Sequence, residues 1–209
     1  TMMIVQYEQP GASETTMKSI EQVRSLCNKN CFLAGFSVFI KDTKDLISKE
    51  MPLYVVMAAV LSIIAMCVTM ESWLLPVALM LSIGLAILYN FGSNILLGEI
   101  SFITQAIAAV LQLGVTMDYS IFLYHRYVEE APHYEDRRDA MAVSIVAAFK
   151  SLSGSSLTTI AGFLALCFMR LTLGRDLGLV MAKGVVLGVA TVVLVLPAIL
   201  LLMDGPIRR

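Results

Sequence analysis

The sequence predicts a mainly α-helical, polytopic membrane bundle with a small α+β segment at the N-terminal end. Three observations lead to this fold class. Hydrophobic residues make up 58% of the 209 residues and charged residues 15%, whereas soluble domains have about half and a quarter. Several uncharged stretches reach the ~20 residues that a helix needs to cross a bilayer. Short polar or charged segments separate these stretches.

The N-terminal segment, residues 1–48, is polar and is expected to form a β-α-β unit. Residues 2–8 are predicted to be a strand, Ser13 is a suitable N-cap for a following helix, and residues 35–40 are predicted to be a second strand. One such unit is too small to bury a core of its own. We therefore expect the last part of a larger extracytoplasmic, porter-like domain, and a chain that is a piece of a longer protein.

The transmembrane bundle is predicted to occupy residues 49–204, with a cytoplasmic tail at 205–209. Pro52 and Pro76 suit first helical turns, where the missing N–H group costs nothing. Five helices are expected, at about residues 51–70, 74–91, 101–125, 141–169 and 177–203.

The orientation of the bundle follows from the basic residues in its short loops. Lys and Arg near the ends of spans favour the cytoplasm. With a cytoplasmic C-terminus, five arginines lie inside and two outside: Arg126, Arg137, Arg138, Arg208 and Arg209 against Arg170 and Arg175. This predicts a multi-pass protein of the cell membrane with an extracytoplasmic N-terminal segment.

Asp118 is the most informative residue, because an uncharged run from residue 100 to residue 117 precedes it. An acid inside a span costs about 2.5–3.5 kcal/mol on insertion scales, so it should face a bundle interior or a water-filled cavity. Such an acid can alternate between its charged and neutral forms as its surroundings change. Gly114, one turn earlier, allows a neighbouring backbone to approach closely, and Tyr119 supplies a hydroxyl group. The alternative is an acid that only joins helices through a hydrogen bond.

Hydroxyl side chains crowd the fourth predicted span: Ser153, Ser155, Ser156, Thr158 and Thr159. They could carry a proton toward Asp118, or they could be small residues that allow tight helix packing. Both interpretations stay open. Gly184 and Gly188 in the fifth span are predicted to serve packing.

No metal site and no cofactor other than a proton gradient is predicted. His125 and His133 have no Cys or carboxylate at metal-ligand spacing. The net charge of −1 also argues against nucleic acid, which requires a basic patch.

Three further side chains are left open. Cys27 and Cys31 lack the second pair that a zinc site needs, and a disulfide between them depends on the compartment. Lys183 interrupts the fifth span and is either interfacial or unexplained.

A family resemblance rests on a string that begins at Gly114 and continues with Asp118-Tyr119, Phe122-Leu123, Arg126 and Glu129-Glu130. This string resembles the fourth or tenth helix of MMPL-type transporters in the RND superfamily. Residues 156–166 and Leu196-Pro197-Ala198 are similar to the next two helices of that family, and the segment before Met51-Pro52 is similar to the end of its porter domain.

The resemblance implies a secondary transporter, not an enzyme, that uses the proton-motive force to export lipids or other hydrophobic compounds. It implies that Asp118 and Tyr119 are half of a proton relay. The implied partners are membrane lipids, a hydrophobic substrate and a second, pseudo-symmetric transmembrane half of the same protein; a homo-oligomer is left open. The alternatives are a lipid- or sterol-sensing, Patched-like module without turnover and a SecD/SecF-like export component.

Overall fold

The computed structural model describes residues 3–27, 31–70, 72, 74–97 and 100–207. Within these ranges the chain forms seven α-helices: α1, Glu14–Leu26; α2, Phe36–Thr69; α3, Leu74–Ser93; α4, Phe102–Glu130; α5, Arg137–Leu166; α6, Thr172–Leu194; and α7, Leu196–Ile207. Short 3-10 turns follow α3 at Asn94–Leu97 and α4 at Ala131–His133. Contacts divide the chain into two units, Thr1–Pro52 and Leu53–Arg209.

The first unit begins its regular structure at the predicted N-cap. The backbone N–H of Thr16 donates to the hydroxyl of Ser13 at 3.3 Å, which satisfies one of the free donors at the start of α1. Met17 and Ile20 on one face of α1 are buried. The helix that the sequence predicted after Ser13 is therefore confirmed.

Both predicted strands are wrong for the residues that the structure describes. Residues 3–8 form neither helix nor strand, Met2 lies outside the described residues, and Phe36–Ile40 forms the start of α2. Gly35 has a φ of +147°, which glycine adopts readily, and its carbonyl accepts the N–H of Phe39 at 2.9 Å to close the first helical turn. Periodicity cannot separate such a short apolar run from the start of a buried helix.

Five helices in the described part of the chain are long and apolar enough to cross a membrane: Phe36–Val68, Leu74–Ser93, Phe102–His133, Arg137–Leu166 and Thr172–Met203. The polytopic helical bundle is thus confirmed, while the assignment of residues 1–48 to a porter-like domain stays a prediction. α5 begins at Arg137 because the carboxylate of Asp136 accepts the backbone N–H of Arg138 at 2.9 Å.

The second unit is organised around α6, which contacts α3, α4 and α5. Glycines on α6 make this possible. A Cβ atom at Gly184 would lie 2.7 Å from Nδ2 of Asn90, and one at Gly188 would lie 2.9 Å from the hydroxyl oxygen of Thr116. The predicted packing role of Gly184 and Gly188 is confirmed.

The last predicted span consists of two helices, α6 and α7. α6 ends at Leu194 and α7 begins at Leu196, immediately before Pro197. Proline has no N–H to donate, and its ring clashes with the carbonyl of the residue four positions earlier. Pro197 therefore accounts for the break.

α2 is much less covered than the other spans. In the most apolar window of α2, 6% of the residues are buried, against 33–44% in the other four spans. Its main anchor is Met66, which is fully buried in the core cluster of the second unit. Most of the α2 surface is therefore available to lipid or to another helix.

Candidate functional site

Asp118 lies on an exposed face of α4. Its carboxylate makes no hydrogen bond or ion pair with any residue that the structure describes. Gly114 is also exposed, and a Cβ atom built there would have no neighbouring atom within 4 Å. Ile107 and Leu111 continue the same face, with 40% and 43% of their surfaces exposed. The acid and the glycine therefore share an otherwise apolar face that is left uncovered within the described part of the second unit.

Tyr119 points in a different direction from Asp118, as helical geometry requires of adjacent residues. It is 5% exposed, and its hydroxyl lies close enough to Thr159 of α5 to interact with that side chain. The hydroxyl of Thr159 in turn donates to the backbone carbonyl of Ser155 at 3.0 Å. The structure thus brings Tyr119 and Thr159 together, and Asp118 interacts with Tyr119 only electrostatically.

Two other hydroxyl candidates on α5, Ser156 and Thr158, bond to their own helix. The hydroxyl of Ser156, which is buried, donates to the carbonyl of Leu152 at 2.6 Å, and that of Thr158 donates to the carbonyl of Ser155 at 2.7 Å. Such bonds are common for hydroxyl side chains inside helices. Ser155 and Thr158 are exposed. Their roles in proton transfer or in packing stay predictions.

A pair of side-chain amides joins three helices inside the bundle. Asn90 of α3 donates through Nδ2 to Oε1 of Gln112 of α4 at 2.6 Å. Gln112 donates through Nε2 to the carbonyls of Ala86 in α3 and Gly184 in α6, at 3.1 and 3.3 Å. Both amides are 1% exposed. Together with Asn94 and Lys183 they form what we call the buried amide cluster.

Lys183 of α6 is the cation of the buried amide cluster. Its Nζ donates to the backbone carbonyl of Asn90 at 3.1 Å and to the side-chain oxygen of Asn94. Asn90 lies in the last turn of α3, where carbonyls lack helical partners and the helix dipole is negative. Lys183 therefore caps α3, a role that the sequence did not reveal because its partners lie 89 and 93 residues away.

Polar groups also line the buried side of α4, opposite Asp118. Thr104, Gln112, Thr116 and Ser120 are fully or almost fully buried. Five buried side-chain atoms in the described residues have no hydrogen-bond partner: Oγ of Ser82, Oδ1 of Asn90, Nδ2 of Asn94, Oγ1 of Thr104 and Oγ1 of Thr116. Buried polar atoms of this kind are usually satisfied by ordered water. Gln112, Thr116 and Ser120 follow one another at intervals of four residues. This polar repeat on one helix face is the signal that sequence reasoning missed.

Comparison with known proteins identifies the family. The MMPL family model matches residues 1–205, nearly the whole chain. The chain belongs to the MMPL family. The resemblance inferred from the string around Asp118 is thereby confirmed, and in this MMPL chain the complete string, residues 114–130, lies within α4.

Relatives of this MMPL chain are longer proteins. The putative membrane protein ActII-3 of Streptomyces coelicolor is 36% identical over 133 residues, which are 62% of this chain and 19% of the relative. The mycolic acid-containing lipids exporter MmpL11 of Mycolicibacterium smegmatis is 25% identical over 192 residues, 85% of this chain and 20% of the relative. The heme uptake protein MmpL11 of Mycobacterium tuberculosis is 25% identical over 187 residues, which are 82% of this chain and 19% of the relative. The MMPL chain spans about a fifth of the length of these relatives.

Proposed function

We propose that this chain is part of a secondary transporter that uses the proton-motive force to export lipids or other hydrophobic compounds. Asp118 binds and releases the coupling proton, and Tyr119 completes this chain's share of the proton site. The observation that carries the proposal is the position of Asp118, which is exposed and unpaired in the described residues, on the apolar face of a helix long enough to cross the membrane.

The energetic cost of that position argues for a partner. An acid that faces lipid costs about 2.5–3.5 kcal/mol, and no group among the described residues pairs with Asp118 to offset that cost. A second transmembrane half that packs against Gly114 and Asp118 would remove the acid from lipid. Relatives about five times as long as the matched segment leave room for such a half in the same polypeptide.

Proton binding would change the forces on the bundle through Tyr119. A charged Asp118 interacts electrostatically with Tyr119, whose hydroxyl lies beside Thr159 of α5. Neutralising Asp118 removes that interaction and shifts the balance between two arrangements of α4 and α5, since a ligand acts by its different affinity for two states. In the proposed orientation the N-terminal segment is extracytoplasmic and the C-terminus is cytoplasmic.

The substrate class is supported by the names of two relatives. One is a mycolic acid-containing lipids exporter and another is a heme uptake protein. Both names describe large, mainly hydrophobic molecules, and the little-buried surface of α2 offers contact with the lipid phase. We therefore propose a lipid as the substrate, with export as the direction.

The test is transport by the full-length protein in liposomes that carry a pH gradient and a fluorescent lipid. Asp118→Asn is expected to abolish proton-driven lipid movement, and Tyr119→Phe to reduce it less. Asp139→Asn, which neutralises an exposed acid in the first turn of α5, is the matched control and should retain transport. Wild-type transport by Asp118→Asn would overturn the proposal.

Two further outcomes separate the alternatives. Lipid binding by the wild-type protein without any flux under a pH gradient would indicate a lipid-sensing module. Uptake of haem with no movement of lipid would retain the proton site and overturn the proposed substrate and direction.

A further inference from the structure

Two thiols come into contact between α1 and α2. Cys27 is the C-cap residue of α1, and its backbone N–H donates to the carbonyl of Arg24. The thiol of Cys31 donates to the sulfur of Cys27 across 3.0 Å. A disulfide has a sulfur–sulfur bond of about 2.05 Å, so a side-chain movement of roughly 1 Å would bring the two sulfurs to bonding distance.

An oxidant can reach this pair. Cys31 is exposed and Cys27 is half-buried, and both lie in the first unit. The other two cysteines occupy different places: Cys67 is in α2, and Cys167 follows α5, where its thiol donates to the carbonyl of Arg175 at 3.9 Å. Among the cysteines that the structure describes, Cys27 and Cys31 are thus the two whose sulfurs are in contact and accessible to an oxidant.

Ion pairs in the first unit hold the two helices together beside the thiols. The guanidinium of Arg24 donates to both carboxylate oxygens of Asp42, at 2.6 and 2.9 Å. Lys41, which is 6% exposed, lies 3.9 Å from the carboxylate of Glu21. Bidentate arginine–carboxylate pairs fix geometry as well as charge. Contacts other than that of the two sulfurs therefore hold α1 against α2 beside the thiols.

We propose that Cys27 and Cys31 form a disulfide in the mature protein. The inference rests on the proposed orientation, because disulfides persist in oxidising, extracytoplasmic compartments and are rare in the cytosol. The oxidant is a protein disulfide of an extracytoplasmic thiol oxidase. One thiolate attacks that disulfide to form a mixed disulfide, and the second thiolate displaces the oxidase. The two thiols lose two protons and two electrons, and the disulfide of the oxidase is reduced to two thiols.

The disulfide would close a five-residue ring, residues 27–31, at the connection between α1 and α2. Without it, this connection is held by the exposed pair of Arg24 and Asp42, which is sensitive to salt. With it, a second covalent link in addition to the backbone joins Cys27, at the end of α1, to Cys31. The modification therefore adds one constraint that salt does not weaken.

The experiment is differential alkylation of the full-length protein in intact cells, followed by peptide mass spectrometry. Free thiols are first blocked with membrane-permeant N-ethylmaleimide, the protein is reduced, and newly released thiols receive an isotopically heavy maleimide. Cys27 and Cys31 are expected to carry the heavy label, with Cys67 and Cys167 carrying the light one. Light label on both Cys27 and Cys31 would overturn the disulfide.

A second arm separates this inference from the orientation on which it rests. Intact cells are treated with a membrane-impermeant maleimide, with and without a membrane-impermeant phosphine reductant. Labelling of Cys27 only after reduction supports both the orientation and the disulfide. Labelling without reductant supports the orientation and overturns the disulfide. If only a permeant maleimide labels the pair, both are overturned. Cys31→Ser should expose Cys27 to the impermeant maleimide without reductant, which confirms that the reagent reaches the site.

Discussion

The side-chain amide of Asn90 in α3 donates a 2.6 Å hydrogen bond to the side-chain carbonyl of Gln112 in α4. This bond lies within a stretch where both residues are almost fully buried. Because both amides are buried, removal of one leaves a polar group of the other without its partner, and this carries a larger penalty than the loss of a surface bond would.

Replacing Gln112 with Leu should therefore lower the free energy of unfolding by about 1–3 kcal/mol, since Asn90 and the carbonyl of Gly184 lose partners. Thermal unfolding of the full-length protein in detergent measures this change. Gln105→Leu, at an exposed position of the same helix, should have little effect. In a double-mutant cycle, Asn90→Leu combined with Gln112→Leu should lower the free energy of unfolding by less than the sum of the two single substitutions. Additive effects would contradict the coupling.

A methyl group at Gly178 should push α5 and α6 apart. The Cβ atom of Ala would lie 2.6 Å from the backbone carbonyl oxygen of Phe163 and 2.9 Å from the sulfur of Cys167. A backbone oxygen inside a helix cannot move aside cheaply, so Gly178→Ala should destabilise the protein by about 1–3 kcal/mol. Gly162→Ala, which meets no atom within 4 Å, should be neutral or stabilising by up to about 1 kcal/mol. Equal melting temperatures for the two variants would count against the observed packing.

Lys183→Met should destabilise the end of α3. The carbonyl of Asn90 and the side chain of Asn94 both lose a charged donor, a loss of about 1.5–3 kcal/mol for bonds to charged groups. Lys183→Arg should retain part of the stability. Lys150→Met, at an exposed position of α5, is the matched control. The measurement is again the melting temperature in detergent, and a wild-type value for Lys183→Met would refute the capping role.

Gly114→Leu should separate stability from transport. The position is exposed and has open space around it in this chain, so the melting temperature should be retained or slightly raised. If a second half packs against this face, the larger side chain will hold the two halves apart, and proton-driven transport by the full-length protein will fall. Gly162→Leu on α5 is the control for a bulky side chain elsewhere on the surface. Unchanged transport in Gly114→Leu would argue against a packed partner at this face.

The rate of Cys27 alkylation in the reduced protein should depend on pH, and the presence of Cys31 should set the pH at which the rate rises. The contact with the Cys31 sulfur is the main cause that raises the pKa of the Cys27 thiol, and desolvation adds to it. The reactive thiolate therefore appears at a higher pH than for an ordinary thiol. Cys31→Ala should shift the profile of alkylation rate against pH for Cys27 to lower pH. An unchanged profile would show that the two thiols do not interact in solution.

The membrane bundle could be predicted from the sequence because span length is a local property. A run of about 20 apolar residues can satisfy its backbone groups in lipid only as a helix. Helix ends depend on single capping side chains, which were only partly predicted. The N-cap at Ser13 was predicted, whereas that at Asp136 was overlooked and α5 begins at Arg137.

The contacts of the candidate site could not be predicted from local patterns. Asp118 could be identified because a charged residue that follows a long uncharged run is recognisable in the sequence itself. The contact between Tyr119 and Thr159 joins residues that are 40 positions apart in sequence, and Lys183 meets Asn90 across 93 positions. Such pairs depend on how α4, α5 and α6 pack. The strand predicted at residues 35–40 failed for a related reason: it would have needed a neighbouring strand.

The position of Lys183 has an electrical consequence. It holds an ammonium group at the end of α3 from within the apolar helix α6, and in the proposed proton cycle Asp118 contributes the opposite charge only while it is deprotonated. These two residues together would carry no net charge before proton binding and one positive charge after it. An elementary charge that crosses the whole membrane field gains or loses about 2.3 kcal/mol per 100 mV. Any displacement of α4 and α6 together along the membrane normal would therefore respond to voltage after the proton has bound and much less before.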